Sequence, residues 1–356
     1  MSSVEIMKLI QGNVLSLKPY HVESTDCEIK LHANENPFPP SKELLELFSS
    51  SLQKLQLNRY PDPDSRALKN SIADRLGIET KHLVIGNGSD EIILFLLQVF
   101  CQKGDTITFP DPTFSMYSII AQSLGIKSVS ISLDNHWDFS ADVILQSAEE
   151  NNSKIIFLSY PNNPTGNCFS DTQVQKVIDN FQGIVVIDEA YHDFSRKSFV
   201  NQIKEHNNLI VLRSLSKIGL AALRVGFGVA DPLVISEINK VRLPYNSNTI
   251  SQAFAENLIT NFEAVQTQIN SILDERHRLL DELHKIESVT AFPSDSNFIL
   301  FKTKQPAGSI FAFLAKNGIL VRNLSSHPKL NNCLRVTVGT KSENDRFLSK
   351  LKDFKN

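Results

Sequence analysis

No run in this chain of 356 residues approaches the roughly 18 apolar residues that a membrane span needs. Met1 to Leu17 also lacks an apolar core of signal-peptide length. Cysteine is scarce: Cys27, Cys101, Cys168 and Cys333 stand far apart. That spacing offers no metal-ligand pair and no disulfide framework. No metal is expected, Cys101 and Cys333 read as buried thiols, and the expected compartment is a reducing, cytoplasmic one. An excess of one charge is lacking too. The 36 basic and 39 acidic side chains leave a formal net charge of −3, with no basic run to hold nucleic acid or an anionic membrane. A single tryptophan, Trp137, against 22 phenylalanines puts the aromatic mass in cores rather than on a stacking platform. There is no internal repeat and no low-complexity tract. What remains is an ordinary globular composition, 41% hydrophobic and 21% charged, long enough for two domains or one large one with an appendage.

Two absences concern motifs. Val185-Val186-Ile187-Asp188-Glu189 resembles the carboxylate strand of a nucleotide hydrolase, but no Gly-Lys-Ser/Thr loop accompanies it. Ser214-Leu215-Ser216-Lys217 matches the Ser-x-x-Lys of penicillin-recognising enzymes, yet Ser-Asp-Asn and Lys-Thr-Gly are both missing.

The chain begins with an arm, residues 1–40, whose Asn34 to Pro40 stretch is extended or turn sequence because each proline restricts its predecessor. Ser41 suits the N-cap of a helix to about residue 55. Residues 65–76 form a second helix, closed by Gly77. Strand and helix signals then alternate. Short apolar strands are predicted at 83–85, 106–109, 128–133, 154–159, 183–187, 209–212 and 225–229. Helices are predicted at 91–101, 113–124, 141–150 and 170–180. Continuous Val- and Ile-rich strands are those buried on both faces of a mainly parallel sheet. Too little chain separates the last two for a helical crossover, so one of them is expected to run antiparallel. After residue 242 a hinge at 243–248 leads into a long helical stretch, 249–286, with one break. Strands near 298–301, 321 and 334–338 follow. The layout is an arm (1–40), a large α/β domain (41–245) and a smaller α+β domain (246–356).

Candidate functional residues gather where ligands bind such sheets, at the carboxyl ends of strands. Gly86-Asn87-Gly88-Ser89-Asp90 opens a helix whose free N–H groups suit a phosphate, or is a tight turn with Ser89 as N-cap. Asp188 ends a buried strand without a magnesium motif. Either it pairs with another cation, for which a protonated ring nitrogen would serve, or it is a structural Asp that caps a turn. Pro161-Asn162-Asn163-Pro164-Thr165-Gly166 is a turn with so much restraint that its asparagines are aimed. Lys217 follows the apolar run Leu209 to Leu212. It is either a surface lysine at a strand exit or a nucleophile that apolar surroundings activate.

In this order, these motifs resemble the fold-type I pyridoxal-phosphate aminotransferases, and among them the histidinol-phosphate aminotransferase branch. The resemblance spans about Lys18 to Thr340. It is carried also by Leu31-His32-Ala33-Asn34-Glu35-Asn36-Pro37, Asn58-Arg59-Tyr60-Pro61-Asp62, Asp188-Glu189-Ala190-Tyr191 and Cys333-Leu334-Arg335-Val336-Thr337-Val338-Gly339. It implies a mainly parallel seven-stranded sheet and a pyridoxal 5'-phosphate cofactor. Lys217 would bond to the cofactor aldehyde and shuttle the proton. Asp188 would pair with the pyridine nitrogen. Asn163 and Tyr191 would bind the phenolic oxygen, and Phe114 would stack on the ring. Ser89, Asp90, Ser214, Ser216 and Arg224 would hold the phosphate. Arg224 follows Lys217 by seven residues, one fewer than in some relatives, and Gly219 is placed to absorb the difference. Tyr60 would reach the phosphate of a second subunit, so a homodimer with shared sites is implied. Arg335, joined by Arg322 and Tyr20, would bind the substrate's anionic end. Asn34 and Asn297 would line the same cleft.

The activity so implied is transamination between histidinol phosphate and 2-oxoglutarate, in histidine biosynthesis. Two alternatives share the scaffold: an aromatic or broad-specificity aminotransferase, and a phosphothreonine decarboxylase. A non-catalytic DNA-binding regulator would need a basic extension that this chain lacks.

Overall fold

The computed structural model describes residues 3–19 and 25–354. Seven strands form one sheet: β1 (Leu83–Asn87), β2 (Thr106–Asp111), β3 (Lys127–Ser132), β4 (Ser153–Ser159), β5 (Ile184–Asp188), β6 (Leu209–Ser214) and β7 (Val225–Val229). Their spatial order is β1-β7-β6-β5-β4-β2-β3. Neighbours from β6 to β3 are parallel. β7 is antiparallel to both β1 and β6, as the short link after Ser214 requires.

The continuous apolar runs have a direct cause. Ile155 and Phe157 of β4, Val186 of β5, and Ile210 and Leu212 of β6 face one core. The residues between them, Ile156, Leu158, Val185, Ile187, Leu209 and Val211, face another. With helices on both sides, the consecutive positions 155–158, 184–187 and 209–212 are all apolar. The first core also holds residues of helices Ser89–Phe100, Met116–Ser123 and Pro232–Val241.

Local signals place several helix ends. Ser41 caps helix Lys42–Lys54 by accepting from the Leu44 N–H at 3.2 Å. Gly77, at φ 65°, ends helix Arg66–Leu76. Two starts differ from expectation. Helix Ser89–Phe100 begins two residues early, with Gly88 rather than Ser89 at the N-cap. Helix Met116–Ser123 begins late, because Thr113 donates its hydroxyl to Asn162 at 2.7 Å and stays in the loop.

The second sheet has four antiparallel strands: β8 (Val289–Ala291), β9 (Phe298–Thr303), β10 (Arg322–Asn323) and β11 (Cys333–Thr337), in the order β10-β11-β9-β8. The arm joins this half of the molecule, as Ile29–Lys30 pairs in parallel with Ile319–Leu320. Val321, expected in a strand, lies between that short pair and β10. The arm also carries helical turns at Ser3–Met7 and Gly12–Leu15 that its sequence does not announce. The long helical stretch breaks into Thr249–Thr260 and Glu263–His284. Thr249–Thr260, expected in the small domain, packs on Lys42–Lys54 and Arg66–Leu76. Phe254 stacks on Phe48 there with centroids 4.2 Å apart. Its apolar face is thereby buried against the large sheet's helices. Cys333 is buried as expected; Cys101 is only half-buried, at the C-terminal end of its helix, and Cys27 is buried instead.

Candidate active site

The parallel strands end along one edge of the sheet, and β7, running the other way, begins there. This reversal is what brings Arg224, just before β7, beside Ser89 and Asp90 after β1. Arg224 donates to Ser216 Oγ at 3.3 Å and to the Asp90 carboxylate at 3.2 Å. Its backbone is left-handed, φ 55°, which costs a residue with a Cβ roughly 1–2 kcal/mol. The 3₁₀ turns Leu215–Ile218 and Ala221–Leu223, with Gly219 between them at φ 125°, take up the seven-residue spacing from Lys217.

Two glycines make room for this arrangement. A Cβ on Gly88 would lie 2.7 Å from an Arg224 guanidinium nitrogen, and Gly88 has φ 84°. A Cβ on Gly226 would lie 2.3 Å from the Ser89 backbone nitrogen and 2.5 Å from the Gly88 carbonyl carbon. Only a bare backbone lets β7 pass so close to the loop. Ser214 and Ser216 are buried beside it, and the Ser216 N–H donates to Ser214 Oγ at 3.2 Å. Backbone N–H groups at a helix start, two hydroxyls and a guanidinium form a donor set that suits a phosphate.

Asp188 stands at the end of β5, only 3% exposed. Its Oδ2 accepts from the Tyr117 hydroxyl at 2.8 Å and its Oδ1 from the Ala190 N–H at 3.2 Å. Burial outweighs both hydrogen bonds and raises its pKa from 3.8 to about 6. Tyr117, fully buried and held far above the usual phenol range by burial and by Asp188, has no assigned role in the sequence reading. The signal was there: Tyr117 lies on an apolar helix, and a buried hydroxyl needs a partner. Glu189, the other half of the carboxylate pair, turns away. It accepts from Ser198, from the Phe199 N–H and from Arg213, at 2.8, 2.7 and 3.1 Å.

The aimed asparagines also divide. Asn162 is fully buried and binds the Pro112 carbonyl and Thr165 at 2.9 and 2.7 Å, which fixes the turn. Asn163 reaches the cavity, where its Oδ1 accepts from Arg335 of β11. Tyr191 accepts from Asn34 Nδ2 at 2.8 Å, leaving its own proton to donate. Asn297 corrects the expectation. It is fully buried behind the cleft and donates to the Asn34 carbonyl at 3.0 Å. It supports Asn34, which sits at φ 56°, instead of forming the wall.

These groups line two connected spaces. The inner one, about 80 Å³, has Ser89, Asp90, Asp188, Ser214, Ser216 and Arg224 in its wall. The outer one, about 420 Å³, has Asn34, Arg322 and Arg335. Phe114, Asn163, Tyr191 and Lys217 border both. Lys217 therefore stands between them, its Nζ 5.6 Å from the centroid of the Tyr191 ring. Phe114 meets Tyr117 edge-on at 5.5 Å. Arg335 is 8% exposed and donates to the His32 carbonyl at 2.8 Å. Arg322 is its cross-strand partner. Tyr60 lies outside this group, 81% exposed and stacked on Tyr245 at 4.6 Å. Tyr20 lies outside the described residues.

Among the described residues, no group of three or more His, Cys, Asp or Glu could hold a metal ion. None of the described helices is long and apolar enough to cross a membrane.

Comparison with known proteins agrees with this geometry. The family model for aminotransferase class I and II matches residues 27–351. The chain is 39% identical over 346 residues to a histidinol-phosphate aminotransferase of Aquifex aeolicus, covering 97% of this chain and 98% of that one. It is 38% identical to histidinol-phosphate aminotransferase 2 of Nitrosococcus oceani, with 99% of each covered. The fold matches the crystal structure of histidinol-phosphate aminotransferase from Sinorhizobium meliloti in complex with pyridoxal-5'-phosphate, with a TM-score of 0.88, 20% identity, and 97% and 96% of the two chains covered. The chain therefore belongs to the class I and II aminotransferase family.

Proposed function

We propose that this chain transfers the amino group between histidinol phosphate and 2-oxoglutarate, with pyridoxal 5'-phosphate as cofactor, in histidine biosynthesis. Near-full-length likeness to proteins of that name supports the reading. The observation that carries the substrate is the pairing of Arg322 with Arg335 at the outer cavity. Like charges directly opposite on neighbouring strands are unfavourable. A dianion set against both would turn that cost into binding, and guanidinium forks match phosphate geometry.

The donor set of the inner space fits the cofactor. Ser214, Ser216, Arg224 and the Ser89 and Asp90 N–H groups would hold its phosphate. Asp188, braced by Tyr117 and Ala190, would keep a proton on its ring nitrogen. Asn163 has its Nδ2 left to donate while Oδ1 is held by Arg335, and Tyr191 has its hydroxyl proton; both suit the phenolic oxygen. Phe114 would cover a ring face. When bound, the cofactor supplies an electron sink for the carbon that carries the amino group. Lys217, at the junction of the two spaces, would take the proton from that carbon at Nζ and return it on the other side of the reaction.

We further propose a homodimer. Leu57, Tyr60, Leu243 and Tyr245 are large exposed apolar side chains, 64%, 81%, 71% and 42% exposed, a composition that suits contact with a second copy. The proposed compartment is the cytoplasm.

The test is an assay of histidinol phosphate with 2-oxoglutarate, run beside phenylalanine. Wild type should prefer histidinol phosphate, and Lys217→Ala should lose at least about 10³-fold in rate. Unchanged turnover in the variant would overturn the mechanism. A preference for phenylalanine, or release of carbon dioxide without an amino acceptor, would overturn the substrate.

A further inference from the structure

His32 borders the outer cavity together with Arg322 and Arg335. Its backbone is pinned to Arg335, whose guanidinium donates to the His32 carbonyl at 2.8 Å. The ring Nδ1 of His32 is buried and makes no hydrogen bond. Native interiors seldom leave a buried polar atom in that state, and the residue that carries it lines the ligand cavity.

We propose that His32 is a specificity residue that takes up a proton when a phosphate dianion enters beside Arg322 and Arg335. The cavity then presents a third cation to a phosphate, but not to a carboxylate of lower charge.

The electrostatics of the ring support this. Burial lowers its pKa below the usual histidine value, and Arg322, Arg335 and Lys30 lower it further, while Glu35 acts in the opposite sense. Near neutral pH the imidazole is therefore uncharged beside the two arginines. A dianion placed among these groups reverses the local field and favours the imidazolium. Protonated, the ring donates from both nitrogens, and the phosphate oxygens are acceptors that arrive with the ligand. A carboxylate carries half that charge and shifts the ring less. One cavity could thus admit both the amino acid and the phosphate ester while binding the phosphate more tightly.

The inference rests on the proposed substrate, and the experiment separates the two. In cofactor-loaded enzyme, KM for histidinol phosphate is measured from pH 6.5 to 8.5, above the second phosphate ionisation near about 6. KM for glutamate is measured in parallel. Wild type should show KM for the phosphate substrate rising by up to about tenfold per pH unit where the proton is taken up. In His32→Gln that slope should vanish. The variant's KM at pH 7 should rise about tenfold for histidinol phosphate and much less for glutamate. An unchanged slope, or equal rises for both substrates, would overturn the proposal and leave His32 a structural residue. Calorimetry with inorganic phosphate, in two buffers of different ionisation enthalpy, gives a reading independent of turnover. Both proteins share whatever proton the phosphate itself gives up on binding as the dianion, so wild type should take up close to one proton more than His32→Gln; equal uptake by both also refutes it. Were the enzyme inactive on histidinol phosphate, the substrate assignment would fall, and proton uptake would still decide the role of His32.

Discussion

Replacing Asp188 by asparagine should stabilise the cofactor-free protein at pH 8 while weakening its hold on the cofactor. The carboxyl is nearly inaccessible, and its folded pKa of about 6 exceeds the ordinary 3.8. The native state therefore holds the proton more tightly than the unfolded chain. Below pH 3.8 both states are protonated and nothing is lost. As pH rises from 3.8 to about 6 the unfolded chain ionises while the native state keeps its proton, and stability falls by about 3 kcal/mol in full. Asparagine has the same shape and no charge to desolvate. Its Oδ1 can still accept from the Ala190 N–H, and the Tyr117 hydroxyl can rotate to accept from Nδ2. The expected gain at pH 8 is about 1–3 kcal/mol, or roughly 1–4 °C in Tm for a chain of this length. At pH 4.5 the gain should shrink to about a third of that, because the native carboxyl is then protonated while the unfolded one is already mostly ionised. Scanning calorimetry of the two apoproteins at both pH values checks this. A variant less stable than wild type at pH 8, or a difference independent of pH, would refute the reasoning. Cofactor affinity should fall in the same Asp188→Asn variant, since a neutral amide cannot hold a positive ring nitrogen by charge.

Gly226→Ala should weaken pyridoxal 5'-phosphate binding by at least about tenfold, since the new methyl would meet the backbone of Gly88 and Ser89, which cannot yield as a side chain does; fluorescence titration measures this. Arg335→Lys keeps the charge but loses the planar fork and the bond to Asn163, so KM should rise about tenfold for both substrates with less change in kcat. If Tyr60 completes the partner's site, Tyr60→Ala and Lys217→Ala should each be nearly inactive, and mixing them under subunit exchange should restore activity. Mixtures as inactive as their components would refute the shared site.

Much of the architecture was legible because its causes are local. Ser41 and Gly77 set helix ends through a side-chain acceptor and a left-handed backbone. The unbroken apolar strands required helices on both faces. The short Lys217 to Val225 link demanded an antiparallel strand. Errors arose where a distant contact overrode a local signal. Thr113 left its expected helix for Asn162, and Thr249–Thr260 crossed back onto Lys42–Lys54 and Arg66–Leu76. The pairing of Ile29–Lys30 with Ile319–Leu320 joins residues almost the whole chain apart.

The site divides in the same way. The sequence by itself determined which chemical groups stand at strand ends: Asp188, Asn163, Tyr191, Lys217, the serines and the arginines. Those positions follow from short stretches in which an apolar run stops and a turn begins. Only the tertiary structure decided which of each pair faces the cavity. It sent Asp188 into the cavity and Glu189 to Arg213, and Asn163 to Arg335 and Asn162 to its own turn. It set Asn297 behind Asn34, and it joined Tyr117 to Asp188 and His32 to the arginines. A side chain's partner is fixed by strand direction, register and the space a missing Cβ leaves. Those quantities depend on segments far apart in the chain, so no local pattern encodes them.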